Sequence, residues 1–357
     1  MEHPITEEIT GIDLVEQQIL ISAGHKLEYK QEDVKINGHS VEYRVYAEDP
    51  SRKFLPSIGF LTKYKEPTPH EHIRIDTGVQ EGSEISMFYD PMISKLITWG
   101  PDRKASLSLL DKAFDEYVVQ GVAHNLGFGK SIIHNESFAA GDYSTAFIPD
   151  FYPDGYSGDT LTLDQKKVVS VAAHQLKNTF LSRNRASGAA PAAEEATIYV
   201  TVLGQSADQE DHDWKVQRST ADPKTFTVTD LACGEATTVS LDSFAYEHNS
   251  LVKMAGSAGD QTFQLLGAEN DIKFDFYFAG GKVETLVYDE AQYKYKGFMA
   301  PIAKVDTAKS VLSPMPGAVV SVAVAPGDTV VDGQELCIIE AMKMQNILKS
   351  EKEGKVK

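Results

Sequence analysis

The stretch Glu340-Ala341-Met342-Lys343-Met344-Gln345-Asn346 decides how the rest of the chain is read. A lysine with methionine on both sides is rare by composition alone, since the 357 residues hold only 8 methionines. Lys343 stands 29 positions after Pro314, which opens a second distinctive group, Pro314-Met315-Pro316-Gly317. Between the two groups the sequence reads as short strands. Gly327-Asp328 and Asp332-Gly333 mark turns, and Leu336-Cys337-Ile338-Ile339 reads as a buried strand running into the lysine. The plain alternative is an ordinary surface lysine in a strand-turn-strand. The chemical alternative starts from the side chain itself. A flexible four-carbon stem ends in an ammonium that can be acylated to an amide.

Length and composition bound the possibilities. The chain is long enough for about two or three domains, and its 42 % hydrophobic content suffices for packed cores. The formal net charge is −18, with no long lysine/arginine cluster. Nucleic acid and anionic membranes are therefore poor partners, so neither is expected. Coenzyme A is a polyanion too, so an acyl-CoA pocket is not expected here. Cys233 and Cys337 lie far apart and suit a reducing compartment without a disulfide framework. The sequence lacks a run of 18 apolar residues for a transmembrane helix. Its acidic N-terminus looks like neither a signal nor a transit peptide.

Three blocks follow from pattern: residues 1–152, 153–308 and 309–357. The first reads as mixed α and β. A helix is expected over Leu14–Ser22, capped by Asp13 and stopped by Gly24, and another over Ala105–Val119, stopped by Gly121. Asn37-Gly38 between Val34–Ile36 and Val41–Val45 signals a hairpin. Alternation places Val41, Tyr43 and Val45 on one face of that strand and Glu42, Arg44 and Tyr46 on the other. The second block opens on a long helix. Thr162 and Gln165 have capping-box spacing, and Val168, Ala172, Leu176 and Phe180 form an apolar stripe best read as a core face. A linker-like stretch, Asn184–Glu195, precedes alternating β segments, among them Ile198/Val200/Val202 and Phe274/Phe276/Phe278. One helix with many strands suggests a small antiparallel barrel around or beside it. The acidic run Asp208–Asp213 reads as a solvated loop.

Two patterns are set aside. His124-Asn-Leu-Gly-Phe-Gly129-Lys130-Ser131 nearly spells a phosphate loop, but His124 replaces its first glycine, so a helix-to-helix turn is expected. His70-Glu-His72 has ligand spacing, yet no further Cys or acidic set completes a metal site, so a solvated loop is expected.

Taken together, the Met-Lys-Met heptapeptide and the upstream Pro-Met-Pro-Gly resemble the biotinyl domain of biotin-dependent carboxylases. A lipoyl domain shares the frame, but Met342 and Met344 beside the lysine are like the biotin version. At the other end, Glu2-His3-Pro4-Ile5-Thr6-Glu7, Val41-Glu-Tyr-Arg44-Val-Tyr-Ala-Glu-Asp-Pro50 and Tyr89-Asp-Pro-Met-Ile-Ser-Lys-Leu96 resemble the C-terminal subdomain of biotin carboxylase. The whole order is similar to that of the α subunits of biotin-dependent acyl-CoA carboxylases. The implied fold is multidomain α+β: a biotin carboxylase C-terminal subdomain, a helix plus antiparallel β-barrel, and a biotinyl/lipoyl-like flattened β-barrel whose second half stops at Lys357. The strands that remain would then leave Val320, Val322, Val324 and Ile338 or Ile339 on an uncovered face.

That resemblance implies a set of roles. Lys343 would be the attachment site of covalent biotin, flanked by the motif residues Met342 and Met344. Glu2 would be the base acting on bicarbonate, and Arg44 the cation that steadies the biotin enolate; the alternative for each is a surface ion pair. ATP with Mg or Mn would be bound in the longer protein by residues preceding Met1. No metal ligand is assigned within this sequence, and this chain alone is expected to be inactive. The middle block would bind a carboxyltransferase β subunit, and a biotin-protein ligase would modify Lys343. The heptapeptide is closer to the propionyl-CoA version of the motif than to the methylcrotonyl-CoA one. Methylmalonyl-CoA is thus the implied product and the mitochondrial matrix the implied location. Two alternatives stand beside this one: the α subunit of a methylcrotonyl- or acetyl-CoA carboxylase, and a non-catalytic fragment that only binds the β subunit.

Overall fold

Alternating apolar residues from Val41 to Val45 make one strand, and its partner lies far along the chain. In the computed structural model, β1 (His39–Tyr46), β2 (Ile73–Thr77) and β3 (Met92–Gly100) form an antiparallel sheet in the order β1-β3-β2. The structure describes residues 3–153, 155–183, 197–205, 209–298, 311–313, 317–341, 344–350 and 352–357. Two compact units contain them, Met1–Ser157 with Lys304–Lys357, and Gly158–Ala303.

Asn37-Gly38 does not turn a hairpin, because residues 34–38 carry no strand. The Trp99 indole Nε1 donates to Asn37 O at 2.9 Å, and Asn37 N donates to Ile9 O at 2.7 Å. Gly38 has φ 69°, and a Cβ there would come within 2.5 Å of Gly100 O and the Trp99 ring. The turn propensity is spent on laying the chain over Trp99, a tertiary contact that outweighs local pairing.

Helix α1 (Pro4–Thr10) leads into α2 (Leu14–Ser22), whose N-terminus is closed as expected by Asp13 Oδ1 accepting from Glu16 N at 2.9 Å. Helix α3 (Arg103–Glu116) packs Leu107, Leu110, Ala113 and Phe114 with Val45 and Leu96 in one core. It ends at Glu116, short of the expected Val119. Val118–Gln120 is extended and pairs with Lys63–Lys65, where two β-branched valines fit better than in a helix. The segment after it is therefore a strand-to-helix turn, not a helix-to-helix turn, and enters α4 (Leu126–His134). Lys130 in that segment is engaged by Asp115 at 2.7 Å and Asp111 at 2.9 Å.

In the second unit, α5 (Leu163–Arg183) begins on a reciprocal cap. Thr162 N donates to Gln165 Oε1 at 2.8 Å, and Gln165 N to Thr162 Oγ1 at 3.2 Å. Eight strands form a closed barrel: β4 (Thr197–Val202), β5 (His212–Arg218), β6 (Thr225–Asp230), β7 (Ala236–Glu247), β8 (Leu251–Gly256), β9 (Gln261–Glu269), β10 (Lys273–Phe278) and β11 (Gly281–Tyr288). Strands β4 and β11 pair to close it. Val169, Val171, Ala172, Ala173 and Leu176 share the core with Val200, Val216, Val228, Phe274 and Phe276. Burial on every side of α5, rather than along one stripe, means that the barrel wraps the helix.

Asp213 departs from the solvated loop expected of the acidic run. It starts inside β5 and accepts from Tyr293 Oη at 2.9 Å, from Lys296 Nζ at 2.8 Å and from Thr201 Oγ1. These bonds, with Tyr199 stacked on Tyr293 at 4.4 Å, bind α6 (Glu290–Tyr295) to the barrel wall.

The C-terminal strands are β12 (Ala318–Val322), β13 (Thr329–Val330), β14 (Glu335–Ala341), β15 (Met344–Lys349) and β16 (Gly354–Lys355). They form a sheet β12-β14-β15 and a pair β13-β16. Val320 and Val322 are exposed, as expected, but Val324 is half-buried and Ile339 is buried, with Leu55, Cys337 and Leu348 packed against it. The expected linker Asn184–Glu195 lies outside the described residues.

Burial pushes the Asp213 carboxyl up, but the bonds from Lys296, Thr201 and Tyr293 together outweigh it and hold the group below its ordinary value. Asp213→Ala should cost about 1–3 kcal/mol in urea unfolding at neutral pH. A depressed carboxyl pKa stabilises above the unfolded pKa and loses that contribution as pH falls, so the difference should shrink below about pH 4. A difference that stays constant down to pH 2 would refute the assignment.

Candidate functional site

Strands β14 and β15 pair from Glu335↔Lys349 up to Ala341↔Met344. The connection between the last partners is two residues long, Met342 and Lys343, and both lie outside the described residues. Met344 opens β15. The frame beneath is tied across its last rungs, with Gln345 Nε2 donating to Glu340 Oε2 at 2.7 Å. Strand β14 is paired on both sides, by β12 and by β15. Gly317 abuts it so closely that a Cβ would lie 2.6 Å from Glu340 O and 2.8 Å from the Ile339 side chain. The glycine of Pro-Met-Pro-Gly is thus required by contact with the strand that leads to Lys343; the three residues before it lie outside the described residues.

The second candidate region is the face of β1 that carries Glu42 and Arg44. Arg44 Nε donates to Glu42 Oε1 at 2.8 Å; the Arg44 side chain is 44 % exposed and that of Glu42 10 %. The bond to Glu42, and after it one to Tyr46, holds the guanidinium pKa above its ordinary value. In the sheet register Arg44 faces Lys95, which faces Asp76, and Glu42 faces Ile97, which faces Arg74. Arg74 is engaged by Asp76 at 2.8 Å, Glu7 at 2.8 Å and Glu8 at 3.4 Å. Through Glu7 and Glu8, α1 lies against this face. Glu2, just before α1, lies outside the described residues, so of the two expected catalytic residues only Arg44 is placed.

The sequence reading missed the roles of Glu42 and Glu48. Glu42 was legible only as a neighbour on the Arg44 face; its bond to Arg44 depends on rotamer. Glu48 is half-buried, and burial, then the charge of Asp90, pushes its carboxyl up. Neither histidine of His70-Glu-His72 meets a ligand set. His72 packs on Trp99 at 4.6 Å, and among the described residues no cluster of three metal-ligating side chains occurs.

Three family models match parts of the chain. Residues 42–150 match the biotin carboxylase C-terminal domain, 309–357 the biotin-requiring enzyme domain, and 1–30 the carbamoyl-phosphate synthase L chain ATP-binding domain. The propionyl-CoA carboxylase alpha chain of Mus musculus is 39 % identical over 100 % of this chain and 49 % of its own length. The methylcrotonoyl-CoA carboxylase subunit alpha of Dictyostelium discoideum is 32 % identical over 100 % of this chain and 51 % of its own. A solved biotin carboxylase subunit of pyruvate carboxylase is 38 % identical, covering 42 % of this chain and 34 % of its own, at a TM-score of 0.42. The chain spans about half the length of the curated relatives it matches.

A raised carboxyl pKa favours the protonated form in the folded chain, so stability present at low pH is lost as pH rises. Glu48→Gln should therefore unfold at a higher temperature than the parent at pH 7, with the gain vanishing below about pH 4. Asp90→Asn should lower the Glu48 pKa, read from its side-chain carboxyl carbon by NMR, without bringing it fully to the ordinary value. No movement on removing Asp90 would contradict the assigned pair.

Proposed function

We propose that this chain, related over its whole length to the alpha chains of propionyl-CoA carboxylase, carries biotin on Lys343 and contributes Glu2 and Arg44 to its carboxylation. The observation behind this reading is the hairpin: a two-residue connection containing the lysine joins the paired residues Ala341 and Met344, and the strand leading into it, β14, is paired on both sides. A short connection limits the freedom lost when a carried group is placed. Lysine supplies the amine that forms the amide to biotin, the reaction of a biotin-protein ligase.

When bound, biotin supplies a ureido nitrogen that accepts a carboxyl group and passes it on. The chain's own residues do the rest at that centre. Glu2 would accept the bicarbonate proton. Arg44 would offset negative charge on the ureido oxygen, with Glu42 fixing its Nε and the side chain as a whole 44 % exposed. The described residues do not fit ATP with Mg or Mn. The phosphate-loop-like segment spends Lys130 on two aspartates, and no described acidic cluster could hold the metal. ATP and metal are therefore assigned to an ATP-binding domain, of which residues 1–30 match a part.

The functional division proposed is 1–152 for the carboxylase subdomain, 153–308 for docking of a carboxyltransferase β subunit and 309–357 for the carrier. A barrel that fills its own interior with α5 has its outer wall left for a partner. Propionyl-CoA, giving methylmalonyl-CoA, is the proposed acceptor reaction, and the higher identity to the propionyl than to the methylcrotonoyl alpha chain favours it. The mitochondrial matrix is the proposed location, supported by the mitochondrial relatives.

Co-expression with biotin-protein ligase should label Lys343 alone, and Lys343→Arg should abolish the label, as read by intact mass and peptide mapping. Biotin on another lysine would overturn the carrier assignment. The chain should also retain a propionyl-type β subunit without ATP, biotin or acyl-CoA, and lose it on deletion of 158–303. Retention after that deletion would move the interface elsewhere.

A further inference from the structure

Asn125 stands just before α4, where an asparagine ordinarily accepts a hydrogen bond from the first turn of its own helix. Its side chain makes no such bond. Oδ1 accepts instead from Tyr46 N at 2.9 Å, and Nδ2 donates to Arg44 O at 3.1 Å. The two partners fix the orientation of the carboxamide, because a peptide N–H needs an oxygen and a carbonyl needs an N–H. The main chain of the same residue joins in. Asn125 N donates to Tyr46 O at 3.2 Å, and Tyr43 Oη donates to Asn125 O at 2.6 Å. Asn125 is 7 % exposed.

Strand β1 is the outer strand of its sheet, with β3 on the other side. At residues 44–46 the side-chain amide and peptide groups of Asn125 therefore do what a neighbouring strand would do. The letters 124–131 that resemble a phosphate loop have a use unrelated to phosphate.

We propose that Asn125 is a positioning residue for Arg44. The proposal rests on the reading of Arg44 as the cation that offsets charge on the carboxyl acceptor. Arg44 is held from two directions: Asn125 fixes the main chain at Arg44 O and, two residues on, at Tyr46 N and O, and Glu42 fixes its Nε at 2.8 Å. A guanidinium aimed at a developing negative charge works only at the right distance, and the strand beneath it sets that distance. Formation of carboxyphosphate from ATP and bicarbonate precedes the step in which Arg44 acts, so it does not need this placement.

The test uses the complete enzyme, in which this chain is joined to an ATP-binding region. Asn125→Asp keeps the shape, removes the donor to Arg44 O and places a negative charge against that carbonyl. Biotin carboxylation should fall by about ten- to a hundredfold in kcat. Bicarbonate-dependent ATP hydrolysis without biotin, and the thermal midpoint of the ATP-binding region, should stay as in the parent. An equal fall in both activities would mean a general structural role and overturn the proposal, as would no fall in either. Arg44→Ala separates the two readings. If it leaves carboxylation intact, the role of Arg44 itself is wrong. If it lowers carboxylation while Asn125→Asp does not, only the positioning role falls. Should Asn125→Asp fail to fold, Asn125→Ala in the present chain gives an independent readout, the Arg44 Nε–Hε resonance. That resonance should shift and its proton exchange faster; an unchanged resonance overturns the proposal.

Discussion

Each strand of this protein must find partners for its edges, and most of its architecture follows from how it does so. An unpaired row of peptide groups loses bonds it had with water and invites association with other chains. In Gly158–Ala303 the answer is closure. Strand β4 meets β11, no edge remains, and the space inside is filled by α5. In the sheet β1-β3-β2 closure is not available, and one buried residue, Asn125, supplies donors and acceptors along the outer side of β1. At the C-terminal end β14 takes the middle of its sheet, so the strand leading into Lys343 is paired along both sides. The strands next to both proposed sites, β1 and β14, thus have partners on each side.

Electrostatics then separates side chains that look alike in sequence. Arg44 and Arg74 both belong to the charged face of one sheet. Arg74 meets Asp76, Glu7 and Glu8, and is spent in joining α1 to the sheet. Arg44 pairs with Glu42 and keeps nearly half of its side chain accessible. A cation compensated by several carboxylates offers little net field to a substrate, whereas one fixed at Nε by a single carboxylate still presents donors outward. The same logic disposes of Lys130. Two aspartates within 3 Å neutralise it, which a phosphate-binding lysine could not tolerate.

Features that depend on neighbours in sequence were legible. Asp13 caps α2, Thr162 and Gln165 cap α5, and the alternation of Phe274, Phe276 and Phe278 places all three inside the barrel. Features decided by distant partners were not. Asn37-Gly38 has the local chemistry of a hairpin, yet the Trp99 indole competes for it from the far end of the sheet. Asp213 reads as one more charge in an acidic loop, and only the return of Tyr293 and Lys296 makes it an anchor. Within the candidate site, the identities of Lys343, Glu2 and Arg44 came from motif, while Glu42 and Asn125 as partners of Arg44 required a rotamer and a register that period-two patterning does not specify.

Register also explains why the two groups at the C-terminal end occur together. Strands β12 and β14 pair with Ala318 opposite Glu340. Gly317 therefore falls beside the end of β14, where its missing side chain lets the backbone approach Glu340 O to a distance a Cβ could not keep. A larger residue at 317 would push Glu340 outward, and with it the first rung below the Met342-Lys343 connection. The interval between the glycine and the lysine is set by an antiparallel pairing, in which a shift of one residue turns every side chain to the opposite face. What looks in the sequence like two motifs at a fixed spacing is one structural contact, between a glycine and the strand that carries the lysine.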